Sequence, residues 1–265
     1  MNELKKRIEN ADVLNLGSTY AFFDFNYSDT KKKGVNLAGK PQYLDVDFCL
    51  LKKYKNYIKK HSKVLIVLPD FVFAVDSVKE SQEQLQTYNK LGYTGYDNPV
   101  FRVYLKSRYN TIKRKIFSSQ KSYIPSNLDN NQKEQAAKDR IESWIRDVGI
   151  LSVESHDVPN VLKRNIENNL QILNSMIDFC KGNEWEAIIV IPPVSQCMNN
   201  KVTKECLNAY LYSPIANRKD QTVKVLDYMN DVRFQDLKLY WNADCLNSKG
   251  AKMFTDIVLK DIYGS

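Results

Sequence analysis

Histidine is almost missing from this chain, with only His61 and His156 among 265 residues. That scarcity excludes a His-Glu-x-x-His helix and leaves no histidine set for a zinc centre, so no metal and no cofactor is expected. The five cysteines, Cys49, Cys180, Cys197, Cys206 and Cys245, are scattered, odd in number and form no Cys-x-x-Cys pair. They fit reduced thiols and a cytoplasmic setting rather than a disulfide framework. Neither a glycine-rich phosphate loop nor a Gly-x-Ser-x-Gly elbow occurs. No run reaches the roughly 20 apolar residues of a membrane span. Met1-Asn-Glu-Leu-Lys-Lys-Arg7 has no apolar core behind it, so it is not read as a signal peptide.

What the chain does carry is charge, with a net +8. Its lysines are dispersed, which reads as a solvated surface while remaining compatible with anionic partners. The most basic helical stretch, 102–115 with Tyr104 and Tyr109, is the one candidate for nucleic acid, and a solvated face explains it more simply. No nucleic-acid partner is expected.

Apolar periodicity gives the architecture. Short buried strands are expected at Val13–Gly17, Val35–Ala38, Lys63–Leu68, Ala187–Ile191 and Val223–Asp227. Helical spacing falls between them over 2–10, 43–60 and 158–181, with one further helix within 200–220 and a closing helix after Asn247 or Ser248. This alternation predicts a single α/β domain, a three-layer α/β/α sandwich on a parallel sheet of five strands. From 77 to 153 no buried strand is expected. Ser77-x-x-Glu80 opens a helix towards Leu91, Pro99 opens a second carrying Phe101, Leu105, Ile112 and Ile116, and 132–147 forms a third with Ile141, Trp144 and Ile145 inward. The span reads as a helical insertion on the ligand-binding side of the sheet, either a lid or specificity element or a structural or dimerising appendage.

Two distant stretches carry the chemistry. Val13-Leu-Asn-Leu-Gly17 stops on glycine and runs into Ser18-Thr19, placing a serine just past a strand end, where open α/β sheets hold ligands. Near the other end lies Asn242-Ala-Asp-Cys245-Leu-Asn247-Ser-Lys-Gly250-Ala251. Together with Asn36-Leu37-Ala38-Gly39 after the second strand, these stretches resemble the SGNH (GDSL-like) hydrolase superfamily. The likeness is greatest to the branch found in bacterial polysaccharide-modification loci, whose closing motif is Asp-x-Asp-His-Leu-Asn-x-x-Gly-Ala. The resemblance covers about 13–75 and 158–262 and implies an SGNH-hydrolase-like, flavodoxin-like sandwich.

It also implies site residues. Ser18 becomes the nucleophile, with a helix N-cap as its alternative reading. The Ser18 N–H, the backbone near Gly39 and the Asn36 side chain become the oxyanion donors. Asn242 stands where the family has Asp, and Cys245 where it has His. A thiol with an ordinary pKa near 8.5 is a poor proton shuttle at neutral pH, and an asparagine cannot stabilise an imidazolium as a carboxylate does. Asp244 and His156, in Glu154-Ser-His-Asp157, are the remaining candidates for a base, though a satisfied structural histidine is the commoner situation. Leu68-Pro69-Asp70-Phe71 replaces the family's Gly-x-Asn-Asp donor motif. Two functions follow as expectations. One is an ester hydrolase or acyltransferase acting on a carbohydrate or small ester. The other is a catalytically degenerate protein of this fold that binds a glycan or a partner protein.

Overall fold

The structure, a computed structural model, describes residues 3–40, 42–77 and 129–264. Five parallel strands form one sheet: β1 (Val13–Leu16), β2 (Gly34–Asn36), β3 (Lys63–Val67), β4 (Glu186–Ile191) and β5 (Lys224–Asp227), in the order β2-β1-β3-β4-β5. The register aligns Leu14 with Val35 and Val64, and Ile66 with Ile189. The order reverses between β1 and β3, the switch point at which sheets of this kind open a crevice beyond their strand C-termini.

Alternation along each strand builds two cores. Leu14, Leu16, Val64, Ile66, Ile189 and Ile191 face one layer, in which α1 (Glu3–Glu9), α3 (Leu44–Tyr54) and α5 (Asn160–Gly182) pack. Val13, Leu65, Val67, Ile188 and Val190 face the other, covered by α2 (Thr19–Asp24) and α9 (Ser248–Tyr263). With both faces buried, the strands read as continuous apolar runs, as parallel strands do. The helix expected to 60 stops at Tyr54, because the Tyr57 and Ile58 N–H groups both turn back onto the Tyr54 carbonyl. Ile58 remains buried beyond the helix end.

Of the span 77–153, the helices expected over 80–91 and 99–116 lie outside the described residues. The third is α4 (Asn130–Ser143), opened by a reciprocal capping box between Asp129 and Gln132. It continues as a π-helical turn over Trp144–Val148 and ends on Gly149 at φ 82°. That wider turn rotates the register, so Trp144 is buried while Ile145 is 41% exposed rather than inward. Among the described residues of the span there is no strand. Three further helical pieces follow β4: α6 (Gln196–Asn199), α7 (Lys204–Leu207), which runs through a π turn over Asn208–Tyr212, and α8 (Ser213–Ala216). Among the described residues no helix is long and apolar enough to cross a membrane.

Candidate active site

The turn out of β1 requires glycine. Gly17 has φ 127°, and a Cβ there would lie 2.9 Å from the Val67 carbonyl oxygen on the neighbouring strand. Its N–H donates to the buried Asp47 carboxylate at 3.1 Å, and its carbonyl accepts the Gly39 N–H at 3.2 Å. Burial pushes the Asp47 carboxyl up to about 7, against the lowering effect of its bonds from Gln42 and Gly17. Ser18 follows in extended geometry at the start of α2, half-buried, and its hydroxyl does not cap that helix.

Asn36 sits beside this turn with its amide committed. Nδ2 donates to the Ala21 carbonyl at 2.9 Å, and Oδ1 accepts from Asn15 Nδ2 at 3.1 Å and from the Ala38 N–H at 2.9 Å. The side chain therefore ties β2 to α2. The Gly39 N–H is likewise bound to the Gly17 carbonyl, so two of the three expected oxyanion donors, Asn36 and Gly39, are engaged elsewhere in this conformation.

The closing stretch reaches the same edge of the sheet. Tyr20 Oη, two residues past Ser18, donates to Asp244 Oδ2 at 3.2 Å, and the Leu246 N–H donates to Asp24 of α2 at 2.9 Å. Ser18, Asn36 and the 242–246 loop thus gather around α2 at the switch point. Asn242 closes its own turn, with Oδ1 accepting the N–H groups of Asp244 at 3.1 Å and Cys245 at 2.7 Å. Cys245 has no solvent exposure, and its thiol is pushed well up by burial and then by the charges of Asp244 and Asp24. A thiol held this far above neutrality supplies neither thiolate nor general base.

The electrostatic centre is a set of residues that the linear pattern did not mark as partners. Arg140, from α4, donates through Nε to Asp244 Oδ2 at 2.6 Å; the aspartate side chain is 2% exposed and the arginine side chain 36%. Asp70, after β3, is buried, and desolvation together with the charge of Asp244 pushes its carboxyl up to about 7 despite Arg140. Burial and the charges of Asp70 and Asp244 hold the Tyr20 phenol protonated. Among the described residues Asp70, Asp244 and Arg140 therefore act on one another electrostatically, and Asp244 accepts from both Arg140 and Tyr20. In the sequence, Asp244 stands out only as a candidate base and Asp70 only as a departure from the resembled motif.

Neither histidine joins the group. His156 is exposed in the loop before α5, where the neighbouring Asp157 carbonyl accepts the Tyr210 hydroxyl at 3.2 Å. His61 is exposed at the opposite end of the sheet, just before β3, with its N–H on the Glu184 carbonyl. An open depression of about 490 Å³ lined by Lys204, Glu205, Leu207, Asn208, Tyr212 and Asn230 lies beside α7 and includes none of the Ser18 group. Half-buried aromatic rings flank the loop itself. Phe23 packs on Trp241 with centroids 5.2 Å apart, and the Lys40 ammonium lies 3.8 Å from the Phe23 ring centre. No family model matches the chain, and no curated protein matches it.

Proposed function

We propose that this chain is a carbohydrate-binding protein on an SGNH-type hydrolase scaffold that has lost its catalytic base. One observation carries the reading. Cys245, at the position of the resembled family's histidine, is fully enclosed with its thiol held protonated, while the adjacent Asp244 is bonded to Arg140 and Tyr20. A serine hydroxyl attacks an ester only when a neighbouring group takes its proton, and among the described residues both histidines are exposed away from the closing loop and the Cys245 thiol stays protonated. The rings of Phe22, Phe23 and Trp241 supply flat, partly exposed apolar surface of the kind that packs against the C–H faces of sugar rings.

A second reading, an active esterase or acyltransferase, draws on Ser18 itself, which is half-exposed at the switch point with its hydroxyl unused as a cap. A fluorophosphonate probe separates the two. The binding reading expects no labelling above that of Ser18→Ala, together with tryptophan-fluorescence titration by neutral oligosaccharides that is lost in Trp241→Ala. Stoichiometric labelling of wild-type Ser18 would overturn it in favour of the esterase.

A further inference from the structure

Arg140 carries more donors than the fold uses. A guanidinium presents five N–H groups in a rigid planar fork. Its Nε–H donates to Asp244 Oδ2 at 2.6 Å, whereas Nη1 and Nη2 meet no acceptor among the described residues, and neither is enclosed. The α4 residues one turn away, Ala136, Ala137, Ser143 and Trp144, are uncharged, so no acid on that face of the helix draws the fork aside. Asp244 is buried and is itself held by Tyr20 Oη at 3.2 Å. A guanidinium anchored in this way meets a ligand already oriented and loses little rotamer freedom on binding.

The same tether sets the fork beside the aromatic rings. Trp241 and Asp244 belong to one tight turn, closed by the Trp241 N–H on the Cys245 carbonyl at 3.2 Å and by the Asn242 side chain on the Asp244 N–H at 3.1 Å. Tyr20 and Phe23, three residues apart on α2, meet the two ends of that turn. Tyr20 binds the Asp244 carboxylate, and Phe23 packs on Trp241 with centroids 5.2 Å apart. Lys40, with its ammonium 3.8 Å from the Phe23 ring centre, adds a second cation. Of the acids, Asp244 is already paired, and burial pushes Asp70 up to about 7, so it opposes an incoming anion only in part near neutral pH.

We propose that the glycan taken by this site is acidic, with the Nη groups of Arg140 binding the carboxylate of a uronic-acid sugar while Phe23 and Trp241 pack on the face of the sugar ring. The inference rests on the carbohydrate-binding reading and adds the charge class of the ligand and the residue that selects it. A planar fork matches the two oxygens of a carboxylate. A phosphate monoester, with a charge of about −1.5 to −2 at neutral pH, is repelled more strongly by the adjacent Asp244 than the single charge of a uronate.

Tryptophan fluorescence is titrated with oligosaccharides of galacturonate and of glucuronate, each beside its carboxyl-reduced, uncharged counterpart of equal length. Wild type is expected to bind the acidic member of at least one pair about tenfold more tightly, the scale of a charge-assisted hydrogen bond. Arg140→Lys keeps a cation beside Asp244 but removes the fork. It should cut that advantage to about threefold or less and leave the affinity for the uncharged member within about twofold. Should Arg140→Lys fail to fold, Arg140→Met with Asp244→Asn removes both charges together and should abolish the advantage. An advantage undiminished in either folded variant would overturn the role of Arg140. Equal affinity within each pair, lost in Trp241→Ala, would overturn this inference and leave the carbohydrate-binding reading standing. Binding of none of the four would overturn both.

Discussion

Leu246–Ala251 and Asn242–Cys245 are neighbours in one loop, yet they depend on the rest of the molecule in opposite ways. The first is bonded into the fold at nearly every residue. Leu246 N–H meets Asp24, Asn247 N–H meets the Leu239 carbonyl, the Asn247 side chain caps α9 through the Lys249 and Gly250 N–H groups, and Ala251 is buried in the core. The second is bonded mainly to itself and to the buried ion pair. A stretch can therefore match a resembled motif for reasons of architecture alone, because capping and close packing constrain residue types as tightly as catalysis does.

The comparison is broken most severely at Gly250. A Cβ there would lie 2.3 Å from the Leu239 carbonyl oxygen, a backbone atom that cannot step aside. Gly250→Ala is expected to cost about 3 kcal/mol by urea denaturation, at the upper end for overpacking. A cost below about 1 kcal/mol would mean that α9 shifts freely and that the architectural half is looser than its bonds imply. Arg140→Met tests the other half. It leaves Asp244 buried and unpaired, which costs about 2 kcal/mol once the partial exposure of Arg140 is allowed for. The double variant with Asp244→Asn should recover most of that loss, since both charges are then gone. Equal losses in the single and double variants would show that the pair contributes through packing instead.

Asn247→Ala should have a smaller effect, about 1 kcal/mol for an N-cap. Its signature is local, with faster amide exchange in the first turn of α9 and unchanged exchange in α4. If α4 responds as well, the two halves of the loop are coupled and the contrast drawn between them fails.

The sheet was legible because its strands are apolar runs closed by proline, glycine or charge. Lys63–Val67 and Glu186–Ile191 lie within a residue of where the pattern puts them. β2 was harder to bound, being an edge strand of three residues. The π turn at Trp144 has no signature in a simple 3.6-residue repeat, and that is why Ile145 was assigned inward. The buried charge group was illegible for a different reason. Tyr20, Asp70, Arg140 and Asp244 come from four separate segments, and each taken alone is an ordinary polar residue of a loop or helix face. Asn36 illustrates the same limit from the other side. Its position beside Ser18 was readable, but the carbonyls of α2 that engage its amide were not.

The smallest effect is expected where the resemblance alone would promise the largest, in introducing the resembled family's pair as Asn242→Asp with Cys245→His. The first change should be tolerated, since an aspartate can accept the same N–H groups of Asp244 and Cys245 that Asn242 accepts. The second must fit an imidazole into a space with no solvent exposure, bounded by Asp24, Asp244 and Arg140. Overpacking of that kind costs about 1–3 kcal/mol. An imidazole that does fit is drawn towards those carboxylates rather than towards Ser18. The Asn36 amide and the Gly39 N–H remain bound to carbonyls, so a tetrahedral intermediate on Ser18 would still lack part of its donor set. Hydrolysis of p-nitrophenyl acetate by the folded double variant should therefore stay within about tenfold of wild type, since a base without its oxyanion donors gives little rate. A gain of about a thousandfold, removed by Ser18→Ala, would show that the donors rearrange readily and that only the base was missing.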